Sequence, residues 1–89
     1  MRVHPIRVAI NQANDARRLI ATGHTKRARR NLRLARRKVA DCDSRKLITA
    51  YRRLGEAVNR LKSLEWDLAQ EKAGEAARWL RSYTVDPTG

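Results

Sequence analysis

Eighty-nine residues provide for one domain with a modest core and little stability to spare. A 42% hydrophobic content is enough to fold, so the 34% charged content does not imply disorder; with no Phe, the core must come from Leu, Ile, Val and Ala, which favours helix. The net charge of +12 excludes nothing about the fold but selects acidic partners: phosphate polymers, anionic surfaces or acidic protein faces.

Pro5 suits the first turn of a helix. From there Ile6, Ala9, Ile10, Ala13, Ala16, Leu19 and Ile20 follow the i, i+3, i+4, i+7 spacing of one helical face. Gly23 is the expected stop, because glycine accepts the left-handed backbone at a helix C-terminus. Thr25 is the expected N-cap of the next helix.

The second helix is expected from Lys26 to Ala40, with a narrow apolar stripe of Ala28, Leu32, Ala35 and Val39. Around it stand Lys26, Arg27, Arg29, Arg30, Arg33, Arg36, Arg37 and Lys38, eight cations with no acid among them. Like charges at i, i+4 weaken an isolated helix, and a salt-bridged structural helix would alternate signs, so this run points to a partner. Arg29, Arg33, Arg36 and Arg37 are read as the face turned away from the stripe, and Leu34 falls outside it.

This hairpin resembles the helix–turn–helix unit of the tetratricopeptide repeat, a protein-binding module. Ala16, Leu19, Gly23, Ala28, Leu32 and Ala35 follow its small, large, glycine, alanine, large, alanine pattern. The resemblance covers about a third of the chain; Gln12 and Asp15 replace the repeat's early Trp and Leu, and its closing Pro is missing. It implies a tight antiparallel hairpin and nothing about family membership.

Asp43 or Ser44 is expected to cap a third helix. Leu47, Leu54, Leu61 and Leu68 recur every seven residues, Tyr51 and Val58 fill the seam, and no Pro interrupts residues 44–83. Of Gly55 and Gly74, the latter is the better candidate for a kink, and Ser63 is a second place where the chain could fold back. Residues 1–5 and 84–89 are expected to fray. The fold class read from this pattern is all-α, an antiparallel hairpin plus a long third helix in one 1–89 domain, with a four-helix bundle as the alternative.

Charge is uneven. Residues 1–40 carry twelve cations against one acid, whereas the stretch from Leu64 carries both Trp66 and Trp79 and more acids than cations. An unbroken third helix would span about 60 Å against roughly 23 Å for each hairpin helix. It would leave Leu64, Trp66, Leu68, Trp79 and Leu80 in water, so a homodimer burying these residues is expected, with fold-back near Gly74 or Ser63 as the other solution. Fold-back would bring Glu65, Glu71 and Glu75 near the basic helix.

Chemistry that would make an enzyme is not legible. His4 and His24 lie twenty residues apart without a third ligand-type neighbour, Asp41 and Asp43 flank Cys42 and would raise its pKa, and no glycine-rich phosphate loop occurs. No metal or cofactor is expected. Cys42 is alone, Met1–Ile10 has no apolar run of signal-peptide length, and no run approaches a membrane span, so a cytoplasmic protein is expected. The function expected is binding of DNA or RNA phosphates through the basic hairpin. The alternative is a small regulator or inhibitor, of phage or mobile-element type, docking its basic or Trp-bearing helix on an acidic protein face.

Overall fold

The computed structural model describes residues 4–42 and 45–85. Helix α1 (Pro5–Ala21) begins with Pro5, which has no N–H to satisfy, while His4 Nδ1 accepts the Ile6 N–H at 3.1 Å. It ends in a Schellman motif. Gly23 sits at φ +84°, the His24 N–H donates to the Leu19 carbonyl at 2.7 Å, and the Gly23 N–H donates to the Ile20 carbonyl at 3.1 Å. Helix α2 (Thr25–Asp41) follows at once, so Thr25 is its first residue and not its cap; His24 holds the cap position without a side-chain bond. A short 3₁₀ turn, Arg45–Leu47, leads into α3 (Ile48–Lys62), and α4 runs Trp66–Val85. The caps expected at Asp43 and Ser44 lie outside the described residues.

The long third helix is therefore two helices, and the break needs no Gly or Pro. Leu64 adopts φ 60°, its N–H donates to the Leu61 carbonyl at 3.1 Å, and the Glu65 N–H donates to the Arg60 carbonyl at 2.8 Å. This is the same Schellman pair that ends α1, with leucine where glycine is usual. A left-handed non-glycine residue costs about 1–2 kcal/mol. Folding α4 back offsets that cost by burying Ala69, Ala73, Ala76, Ala77 and Leu80. Gly74 lies inside α4, whose helical run is unbroken through it. The dimer expected from helix length loses that ground, since the 60 Å rod does not exist.

All four helices, with no strand among the described residues, close into a ring. α1 packs on α2 and α4, and α3 packs on α2 and α4. The radius of gyration, 12.2 Å, matches the roughly 12 Å that chain length alone predicts. Each helix carries one core register of four positions spaced i, i+4, i+7, i+11. They are Ala9, Ala13, Ala16, Ile20 in α1 and Ala28, Leu32, Ala35, Val39 in α2. Ala50, Leu54, Ala57, Leu61 serve α3, and Ala69, Ala73, Ala76, Leu80 serve α4. In antiparallel order these stack as four layers, each mixing alanines with one or two larger side chains, and Leu54 and Leu32 fill the two middle ones. Ile6 and Leu47, one turn before Ala9 and Ala50, are fully buried and seal one end. Alanine-rich layers let helix backbones approach closely, as the hairpin resemblance implied for α1 and α2.

A second regularity relates the helices in pairs. Ala16-Arg17-Arg18 in α1 recurs as Ala35-Arg36-Arg37 in α2, nineteen residues on, and Gly55-Glu56-Ala57 in α3 recurs as Gly74-Glu75-Ala76 in α4 at the same offset. The contacts repeat too. The Arg36 Cζ lies 3.5 Å from where a Cβ of Gly55 would stand, and the Arg17 Cζ lies 3.4 Å from the corresponding point at Gly74. The offset relates α1 to α2 and α4 to α3 by an approximate twofold, in which the α1–α4 pair corresponds to the α2–α3 pair but packs more extensively.

Candidate nucleic-acid interface

Burying Ala28, Leu32, Ala35 and Val39 against the ring turns the rest of α2 outward. Lys26, Arg27, Arg30, Arg33, Arg37 and Lys38 are exposed; Arg29 and Arg36 are half-buried. Lys26, Arg30, Arg33 and Arg37 follow i, i+4, i+7, i+11, a line of cations about 16 Å long on one side of the helix. With Arg29 and Leu34 they line an open depression of about 320 Å³. Arg27 and Lys38 flank it. Leu34 is 41% exposed in the middle of this face, an apolar spot ringed by guanidinium groups.

Arg36 does not belong to the outward set, contrary to the sequence expectation. Its guanidinium sits over the Tyr51 ring, 4.5 Å from the centroid, and against Gly55. Cation–π attraction and the missing Cβ hold it flat along α3. This contact also fixes which flank of α3 faces α2. Arg52 and Asn59, three residues before and four after Gly55, and Lys62, seven after, share that flank and are exposed. They add two cations to the α2 surface and no acid. The sequence expectation missed them; their signal was phase relative to the Leu47, Leu54, Leu61 stripe, which puts them one flank over.

Glu56, Glu65 and Glu75 are occupied elsewhere. The Arg53 Nη1 donates to both Glu56 carboxylate oxygens at 3.1 Å, and the Arg53 Nε lies 3.0 Å from Glu75 Oε2. Lys72 Nζ lies 3.4 Å from Glu56 Oε2 and 3.8 Å from Glu75 Oε2, and Arg60 Nη1 donates to Glu65 Oε2 at 3.0 Å. Partial desolvation pushes the Glu56 carboxyl up, but Arg53 and Lys72 together outweigh it and hold the carboxyl below its usual range. Fold-back thus brings Glu65 and Glu75 to α3 and not to the basic helix; Glu71 is exposed on α4 and pairs with no cation among the described residues. No cation of α2 has a carboxylate within ion-pair distance among the described residues.

The candidate interface residues of the C-terminal stretch are not gathered into one surface. Leu80 is fully buried in the first core layer and offers nothing to a partner. Leu64 is in the turn, and Trp66 opens α4 on a different side from Leu68. Leu68 and Trp79, eleven residues apart, share the flank near Lys72 and Glu75, with Trp79 51% exposed and Tyr83 one turn on. His4 and His24 stand at opposite ends of α1. Partial burial first, and the Asp41 carboxylate second, push the Cys42 thiol up, and its Sγ donates to the Lys38 carbonyl at 3.3 Å. No described helix is long and apolar enough to cross a membrane. No protein-family model matches this chain, and no curated protein or solved structure matches it.

Proposed function

We propose that this chain is a non-enzymatic nucleic-acid-binding protein that holds duplex phosphates on the outward face of α2. The observation that carries the reading is the segregation of charge. Every acid placed in an ion pair serves α3 or α4, while the cation line of α2 faces solvent with no ion pair among the described residues. A self-repelling stripe of this kind persists at a cost to the free helix, and polyanion phosphates remove the cost. Arginine forks suit phosphate oxygens, and α2 itself turns no amide outward: Asn31 is half-buried beside the core stripe. Recognition therefore follows the backbone and tolerates sequence.

The test is the salt dependence of duplex binding. Changing Arg30, Arg33 and Arg37 together to Gln removes three exposed cations and leaves Arg36 on Tyr51. It should lower the slope of log K against log salt by about 2.7. An unchanged affinity and slope would remove α2 as the contact.

The strip of Leu68, Trp79 and Tyr83 favours a second reading, in which the chain docks on a protein, a second copy included, through α4. Such binding would be stoichiometric and would respond to Trp79→Ala but not to the arginine triple.

A further inference from the structure

We infer that the molecule holds two duplex segments at once, one on the α2–α3 face and a second on the α1–α4 face, and so bridges them. The inference rests on the nucleic-acid reading above and extends it to a surface that reading leaves unused.

The twofold relation places Arg17 and Arg18 where α2 has Arg36 and Arg37, and places Arg81 where α3 has Lys62. These side chains come together. Asn14, Arg17, Arg18, Ala21, Gln70 and Arg81 line an open groove of about 410 Å³ between α1 and α4, and no carboxylate lines it. Neither Arg17 nor Arg18 has an ion-pair partner among the described residues. Arg17 is held against Gly74 by the geometry that holds Arg36 against Gly55, leaving exposed Arg18 as the outward counterpart of Arg37.

In a ring closed in the order α1, α2, α3, α4, the α1–α4 pair lies opposite the α2–α3 pair. The depression on α2 and the groove between α1 and α4 share no lining residue and lie on different helices of a body 39 × 26 × 19 Å across. Two ligands would then occupy separate surfaces. The two sites share their guanidinium forks, which recognise phosphate oxygens, and the α1–α4 groove adds Asn14 and Gln70 as further polar groups. The second face is the weaker one. α4 has Asp67 and Glu71 at the positions where α3 has Ile48 and Arg52, so the α1–α4 groove fills after the α2 face.

The experiment compares one duplex with two. A biotinylated duplex on beads is incubated with full-length protein and a second, fluorescent duplex at low salt, and retained fluorescence is read as protein concentration rises. Wild type should capture the second duplex with a maximum at intermediate protein, because excess protein covers each duplex separately. Arg17→Gln with Arg18→Gln should keep binding to a single duplex within about twofold yet lose capture by about tenfold. Arg18→Glu alone, which leaves the Arg17–Gly74 contact in place, is the control against misfolding and should also lose capture. Capture that survives in both variants would overturn the inference, since a dimer joined through α4 would then be the bridge. Wild type that binds one duplex but never captures a second would overturn it as well. Wild type that binds no duplex would instead refute the nucleic-acid reading itself.

Discussion

The turn at Leu64 makes a prediction whose sign separates two architectures. In the left-handed conformation at φ 60°, a Cβ is a liability, so glycine should be favoured there over alanine by about 1 kcal/mol. In a continuous α3–α4 helix the order would invert, with alanine favoured over glycine by about 1 kcal/mol. The two architectures therefore differ by roughly 2 kcal/mol in the gap between Leu64→Gly and Leu64→Ala. Leu64 is 69% exposed, so both variants lose little packing and the comparison is clean. For a domain of this size, each kcal/mol moves Tm by about 4–8 °C. Thermal melts followed by circular dichroism should place Leu64→Gly above Leu64→Ala by several degrees and at or above wild type. Glycine's extra freedom in the unfolded chain trims the gain over leucine, but it does not reverse the order against alanine. If Leu64→Ala melts higher than Leu64→Gly, the helix does not break at Leu64 and the four-helix ring is wrong.

Leu54→Ala should cost about 2–5 kcal/mol, read by urea denaturation, because it empties a middle layer already composed of alanines. Gly55→Ala should instead stabilise α3 by up to about 1 kcal/mol, since the new methyl would stand at ordinary van der Waals distance, 3.5 Å, from the Arg36 Cζ. Glu56 has a lowered folded pKa, so its share of stability is present above its unfolded value of 4.5 and is lost as pH falls through the folded one. Glu56→Gln should flatten the acid limb of a Tm–pH profile. Cys42, with its raised pKa, should react with iodoacetamide at pH 8 more slowly than free cysteine does.

The all-helical class, the α1–α2 hairpin and the core face of each of its helices were legible in the sequence, because Ala and Ile at helical spacing leave a single possible inside. Gly23 announced the first turn by its identity. The second turn was not announced, although both turns use the same pair of hydrogen bonds, because Leu64 meets the left-handed cost without glycine's signature. Leu61 and Leu68 also keep a seven-residue phase across the break, which imitates one unbroken seam; the phase is accidental, as Leu61 is buried and Leu68 is 39% exposed, outside the core. The repeat at nineteen residues was present in Ala16-Arg17-Arg18 and Ala35-Arg36-Arg37, but arginine and glycine contribute nothing to a hydrophobic pattern. Only the stacking of Arg17 on Gly74 and Arg36 on Gly55 gives it meaning. The cation line of α2 was legible by count, and its extension to Arg52 and Lys62 waited on knowing which flank of α3 faces α2.

The alanine layers have a consequence for how salt acts on this molecule. Thin side chains make a thin bundle, and a chain of net charge +12 folds into a body whose shorter dimensions are 26 and 19 Å. At roughly 0.01 M ionic strength the Debye length is about 30 Å, so charges on one side are felt on the other through the whole thickness; at 0.1 M it is about 10 Å and they are not. The free protein should therefore grow more stable as salt is added, over the same range in which its hold on a polyanion weakens. On the proposed nucleic-acid reading, folding and binding would answer one variable in opposite directions, and in dilute buffer the polyanion would itself serve as counterion to the fold.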